Sequence, residues 1–364
     1  MRRISANYIY PVSSPPIQNG IVELDDDGRI LNVIDPGPDM KETRKLEFFN
    51  GILVPGFVNS YHRLERSFLK GKLEPQRGLR NFLSSLKELD SSVEYSPKME
   101  AMRRADLAMK NSGIRATLDI MNTSESIKIK ANSNIFYYSL IEVFDQASPI
   151  WSNSLEIERD LHENGLKGNM IPCAIHTASY DLMTKISAHL RNFSEPVLSF
   201  QNIQPKNEKE RFERMGKFLD PKWNTVLVDN FYICMEELIN ARKLFPNLFW
   251  VICPKSSLFI ENNLPDLTLL LNQGEKLTIG TGSYASNDSL NILEELKVLQ
   301  HAFKEVSLEQ LIRMATLNGA EAMNIDAFAG SLEMGKTPGL NLITPVHFGD
   351  QHRLKKESMV KAII

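Results

Sequence analysis

The sequence predicts an α/β protein: a (β/α)8 TIM barrel over residues 51–334, with a small β-sandwich domain assembled from both chain ends, residues 1–50 and 335–364. Three observations carry this expectation. Apolar runs of strand length alternate with amphipathic stretches through the middle of the chain, the rhythm of parallel strands joined by crossover helices. Turn-punctuated strand signals sit at both ends. The apolar run Ile52–Val58 breaks into the polar cluster Asn59-Ser60-Tyr61-His62-Arg63-Leu64-Glu65, as a buried parallel strand does where it opens into a site.

Residues 1–50 read as strands and turns. Ile21-Val22-Glu23-Leu24 and Arg29-Ile30-Leu31 flank Asp27-Gly28, the pair of a tight hairpin whose Gly tolerates positive φ. The acidic run Asp25-Asp26-Asp27 is a solvated turn, because it lacks the further spaced oxygens of a calcium loop. Pro36-Gly37-Pro38 closes this region. Leu340–Thr344 and Met359–Ile364 supply the remaining strands of the terminal domain.

After the opening strand, seven more are expected at 114–121, 135–144, 170–177, 197–203, 225–230, 249–254 and 276–282. Helical stretches separate most of them. The clearest takes Ser96 as N-cap and Pro97 as first residue and ends near Gly113, with Met99, Met102 and Met109 as core contacts. A doubly wound sheet shares this rhythm, but no Gly-rich phosphate loop supports it.

Composition narrows the function classes. The chain is 42% hydrophobic and 24% charged with a net charge of −3, a globular balance that gives no attraction for nucleic acid or membrane. No apolar run approaches a membrane span, and Met1–Asn7 lacks a signal-peptide core. Cys173, Cys234 and Cys253 have no disulfide or zinc spacing, which fits a reducing cytoplasm.

The strand ends then carry a resemblance. Val54-Pro55-Gly56-Phe57-Val58-Asn59-Ser60-Tyr61-His62-Arg63-Leu64-Glu65 resembles the first barrel strand of the amidohydrolase superfamily, above all its metal-dependent deaminase and chlorohydrolase-like branch, with cytosine, S-adenosylhomocysteine and aminodeoxyfutalosine deaminases. That strand reads Pro-Gly-Phe-Val-Asn-x-His-x-His-Leu-Glu, and its two His bind a catalytic metal; here they are Tyr61 and Arg63. His62 is one residue out of phase, so a structural or surface role is expected for it. Pro172–Ser179 is similar to Pro-His-Ala-Pro-Tyr-Ser-x-Ser, with Cys173 and His176 at its substrate-contact positions. Cys173 reads as a small buried hydrophobe, because nothing nearby in sequence activates a thiol.

Leu198–Gln204 resembles Leu-Ser-Ile-His-x-x-Glu, with Gln201 for the metal-binding His and Gln204 for the proton-carrying Glu. Val226–Asn230 resembles Leu-Leu-Val-His-Asn, with Asp229 for the His. Ile252–Ser257 is close to Cys-Pro-x-Ser-Asn. Ile279–Asn287 matches Gly-Thr-Asp-Ser-x-Ala-Ser-Asn with Gly282 for the Asp. Ala315–Ala322 and Gly335–Leu342 match the family's C-terminal phrases, so the resemblance spans nearly the whole chain.

The resemblance therefore implies an amidohydrolase frame whose zinc or iron ligands are substituted. A neutral amide cannot take and return a proton near pH 7, so Gln204 cannot replace the Glu. The expectation is a chain without a cofactor, a non-hydrolytic homologue binding a small, possibly anionic, ligand or a protein partner. Arg63 and Asp229 are expected to neutralise one another across the lumen, with Lys255 adding positive charge at the mouth. The alternatives are a hydrolase of non-peptide C–N bonds, deaminating a heterocyclic amine by an altered mechanism, and a structural subunit with a self-filled pocket. A homo-oligomer, such as a dimer, or pairing with an intact relative is the expected assembly.

Overall fold

The computed structural model describes residues 1–37, 45–90, 95–144, 149–173, 178–201, 208–228, 230–231 and 234–364. Fifteen strands are formed among them. The first five are β1 (Arg2–Ile9), β2 (Ile17–Gln18), β3 (Ile21–Leu24), β4 (Ile30–Ile34) and β5 (Leu46–Pro55). The barrel follows with β6 (Phe57–His62), β7 (Ile114–Met121), β8 (Phe136–Val143), β9 (Lys167–Pro172), β10 (Val197–Gln201), β11 (Asn224–Val228), β12 (Leu248–Ile252) and β13 (Lys276–Ile279). The chain ends in β14 (Leu340–Phe348) and β15 (His352–Ala362).

The terminal strands join in a seven-stranded sheet of order β15-β14-β5-β1-β3-β4, with β2 on β1. Asp27-Gly28 makes the β3–β4 turn as expected: Gly28 has φ +78°, and Asp25 Oδ1 accepts from the N–H groups of Asp27 and Arg29. The sheet's apolar face closes over Ile4, Ile9, Val22, Leu24 and Leu53. Strand β5 passes straight into β6 at Gly56, where a Cβ would lie 2.5 Å from the Pro338 carbonyl oxygen.

The barrel is an α/β (β/α)8 frame whose parallel strands run in chain order as β6–β9 and β10–β13. Two seams join the halves, both with an asparagine side chain and the second also with a parallel backbone bridge between His62 and Gly282. At β9/β10, Asn169 donates to the Val197 carbonyl (3.0 Å) and accepts from the Val197 N–H (3.1 Å), pairing with it as a strand residue would. At β13/β6, Asn59 donates to Thr281 Oγ1 and accepts from the Thr281 N–H, at 2.7 and 3.0 Å. Strands β11 and β12 are buried along their whole length, which explains their unbroken apolar reading.

The expected helix after the first strand begins at Tyr95 rather than Pro97 and runs to Asn111. Ser96 therefore lies inside it, and Pro97 occupies the first turn, where its missing N–H costs nothing. Met102 and Met109 are core residues, and the partly buried Met99 packs against the same core. No helix of the described residues is long and apolar enough to cross a membrane.

Candidate functional site

The C-terminal ends of β6 and β8 build one polar cluster. Strand parity sends Tyr61 and Arg63 to the same side and His62 to the other. The Arg63 guanidinium meets the Glu142 carboxylate in a two-pronged contact, Nη1 to Oε2 at 2.8 Å and Nη2 to Oε1 at 2.5 Å. Its Nε donates to the Tyr61 hydroxyl at 3.0 Å, and Asn122 Nδ2 donates to Glu142 Oε2 at 3.2 Å. Both charged side chains are 4% exposed.

Burial works against both charges, and mutual attraction outweighs it. Arg63 is held well above its ordinary value by Glu142 and Tyr61. Glu142 is held below the usual carboxylate range by Arg63. The partner expected for Arg63 was Asp229, which lies outside the described residues. The carboxylate that does face Arg63 is Glu142, an acid near the end of the apolar run 135–144. That signal was present in the sequence and marks a strand-end charge.

His62 is buried and its Nδ1 donates to the Gly282 carbonyl at 3.0 Å. Burial pushes its pKa down, so it is neutral, and Nε2 has no hydrogen-bond partner among the described residues. Behind it, Lys130 and Asp119 form a fully buried ion pair of 2.6 Å, and Asp119 Oδ1 accepts from the Leu64 N–H. This pair fixes the chain as it leaves β6.

Two other expected positions adjoin this cluster: the Gly282 carbonyl accepts from the Arg63 N–H and the Gly282 N–H donates to the Tyr61 carbonyl, both at 3.1 Å, and Cys173 feels the charges of Glu142 and Arg63. Cys173 continues β9, with its N–H on the Val143 carbonyl, and burial pushes its thiol up to about 12. Gln201 ends β10, half-buried. Gly282 has φ +63°, and a Cβ there would lie 3.1 Å from Ser256 Oγ, itself hydrogen-bonded to Ser286 Oγ at 2.6 Å. Lys255 does not join the cluster. It pairs with Asp288 and borders a groove on the outer face of the barrel, because its helix, Pro254–Glu261, carries it past the rim. His176 and Gln204, like Asp229, lie outside the described residues.

Beside Arg63 is a cavity of 220 Å³, bordered also by Glu65, Arg66, Asn122 and Thr123. Glu65 accepts from the N–H groups of Asn122 and Thr123 and from Thr123 Oγ1, at 2.9, 3.1 and 2.8 Å. Half-buried, its carboxyl is nonetheless pushed up to about 6 by desolvation, in proton-exchange range near neutral pH.

The family model described as "Amidohydrolase family" matches residues 177–361. A 5'-deoxyadenosine deaminase of Methanococcus maripaludis is 24% identical, over 90% of this chain and 82% of its own length. An aminofutalosine deaminase of Helicobacter pylori, solved with methylthio-coformycin, superposes with TM-score 0.77 at 19% identity, covering 98% of this chain and 94% of that one. An adenosine deaminase of Xanthomonas campestris, solved with bound zinc, superposes with TM-score 0.76 at 16% identity, covering 94% and 84%.

These neighbours correct the expectation of a chain without a cofactor. A solved protein of the same fold carries zinc, so the substituted strand ends do not justify excluding a metal. The described residues themselves do not fit the ion. Among them no group of three or more His, Cys, Asp and Glu is placed to hold one, and Arg63 with Glu142 fills the β6 end.

Proposed function

The chain belongs to the amidohydrolase family, and we propose that it hydrolyses a non-peptide C–N bond of a heterocyclic amine of the adenine-nucleoside kind, by an altered mechanism. Support for the substrate class comes from the deaminases that match it over most of their length. The observation that carries the chemistry is Glu65 at the wall of the Arg63 cavity, with its carboxyl raised to about 6. In this reading Glu65 accepts the proton of the attacking water and returns it to the departing amine. Arg63, held charged, steadies the developing negative charge.

The test is ammonia release from 5'-deoxyadenosine, methylthioadenosine and S-adenosylhomocysteine, with metal content measured per chain. Turnover with an acidic limb near pH 6 that disappears in Glu65→Gln supports the reading. No ammonia from any of the three, with zinc supplied or withheld, sinks it.

A second reading, binding without turnover, is favoured by the Arg63–Glu142 contact. A carboxylate held ionised by a guanidinium is a weak base, so Glu142 anchors a ligand site better than it moves protons. Stoichiometric nucleoside binding without ammonia release would select it. Absence of both binding and turnover would leave a structural subunit.

A further inference from the structure

The outer face of the barrel carries a groove of 980 Å³ between the helices Pro254–Glu261 and Ile292–Ala302 and strand β15. Its floor is apolar, with Leu258, Val298 and Leu354. Its rim is basic. Six of the lining side chains are Lys or Arg, and one, Glu294, is acidic. Glu294 is already bound to Lys297 at 2.7 Å, and Lys255 to Asp288. Lys304, Lys355 and Lys356 are exposed and form no ion pair with the described carboxylates. This positive edge stands on a chain whose net charge is −3.

The walls are fixed in advance. Gln300 on the helix spans to the strand, donating to the Leu354 carbonyl (2.9 Å) and accepting from its N–H (2.8 Å). Lys297 Nζ donates to the Lys356 carbonyl at 2.9 Å. A preformed apolar trough of this size with a few convergent polar groups is the form of a small-molecule site.

We propose that this groove binds a medium-chain fatty carboxylate, its tail along Leu258, Val298 and Leu354 and its head among Lys304, Lys355 and Lys356. Charge complementarity selects this occupant. A second copy of the chain would bring one basic rim against another. An added peptide strand meets Gln300 where it needs the Leu354 backbone.

Titration calorimetry with octanoate, decanoate and laurate, each below its micelle-forming concentration, tests the proposal. One molecule is expected to bind per chain, with affinity rising roughly fourfold for each methylene the floor covers. Lys304→Glu/Lys355→Glu/Lys356→Glu should weaken laurate at least tenfold, and added salt should weaken it in the wild type. Dodecanol should bind less well than laurate. Val298→Trp, checked for an unchanged circular dichroism spectrum, should abolish binding by filling the floor. Affinity independent of chain length, equal binding by the charge-reversed variant, binding of an acidic peptide in place of laurate, or no heat at all would overturn it.

Discussion

Arg63 and Glu142 close a buried, two-pronged ion pair across the ends of β6 and β8, with the Tyr61 hydroxyl as third member. Both side chains are only 4% exposed, so each charge depends largely on the other. Glu142→Gln keeps the shape and removes the charge, leaving a guanidinium buried and unmatched. The expected cost is roughly 3–5 kcal/mol in urea unfolding. Arg63→Met with Glu142→Leu should recover much of it. A loss below about 1 kcal/mol for Glu142→Gln would show that Arg63 finds water or another acid.

Gly282 cannot simply be returned to the Asp of the family phrase. Its φ of +63° and the nearness of Ser256 make any side chain costly there. Gly282→Ala and Gly282→Asp should each destabilise by about 1–2 kcal/mol, with Asn the mildest substitution because it tolerates left-handed backbone. Full stability in Gly282→Asp would mean that this turn relaxes.

Glu295 ties the first turn of the helix Pro254–Glu261 to the loop after β13: its carboxylate accepts from the Lys255 N–H and Asn287 Nδ2 at 2.8 and 2.7 Å. Burial pushes its carboxyl up to about 7. The folded state thus holds this proton more tightly than the unfolded chain does. The contribution is complete below the unfolded carboxyl range and is lost as pH rises through about 7, amounting to roughly 3 kcal/mol. Glu295→Gln should flatten the stability profile between about pH 4.5 and 7. Parallel wild-type and variant profiles would contradict the assignment.

Cysteine labelling should discriminate by environment. Cys234 is exposed, whereas burial raises the Cys173 thiol to about 12. Iodoacetamide at neutral pH, followed by peptide mass spectrometry, is expected to modify Cys234 first and leave Cys173 intact in the native protein. Equal rates would mean that the β9 end opens readily.

Asn169 stitches the β9/β10 seam with one side chain. Asn169→Leu strips the Val197 carbonyl of its side-chain partner and leaves the Val197 N–H only the longer bond to the Tyr138 hydroxyl, for an expected cost of about 2–3 kcal/mol. Amide exchange at Val197 should accelerate more than at Leu227 on β11. Unchanged protection at Val197 would show that the strands pair without it.

The fold was legible because burial on both faces leaves a plain mark. Runs such as Val226-Leu227-Val228 and Trp250-Val251-Ile252 have no polar interruption to confuse their boundaries. Polar positions were harder to read. Arg63 announced a charge needing a partner, and the sequence pointed to Asp229, which lies outside the described residues. Naming Glu142 requires knowing which strand ends adjoin, and β6 meets Glu142's strand through β7. Lys255 was misplaced for a related reason. Its position just past a strand suggested the mouth, but the helix that starts at Pro254 turns the side chain to the outer rim. The Asn169 and Asn59 seams were invisible, since a side chain that imitates backbone pairing leaves no periodic signature.

The terminal sheet sets a schedule for synthesis. Strand β5 ends at residue 55, but its neighbour β14 begins at residue 340, after every barrel strand. On the ribosome β1, β3, β4 and β5 emerge early with one long edge of β5 bare, and they wait until translation is nearly finished for its cover. An open edge of this kind recruits other strands, so nascent chains stalled inside the barrel are the species at risk of sticking to one another.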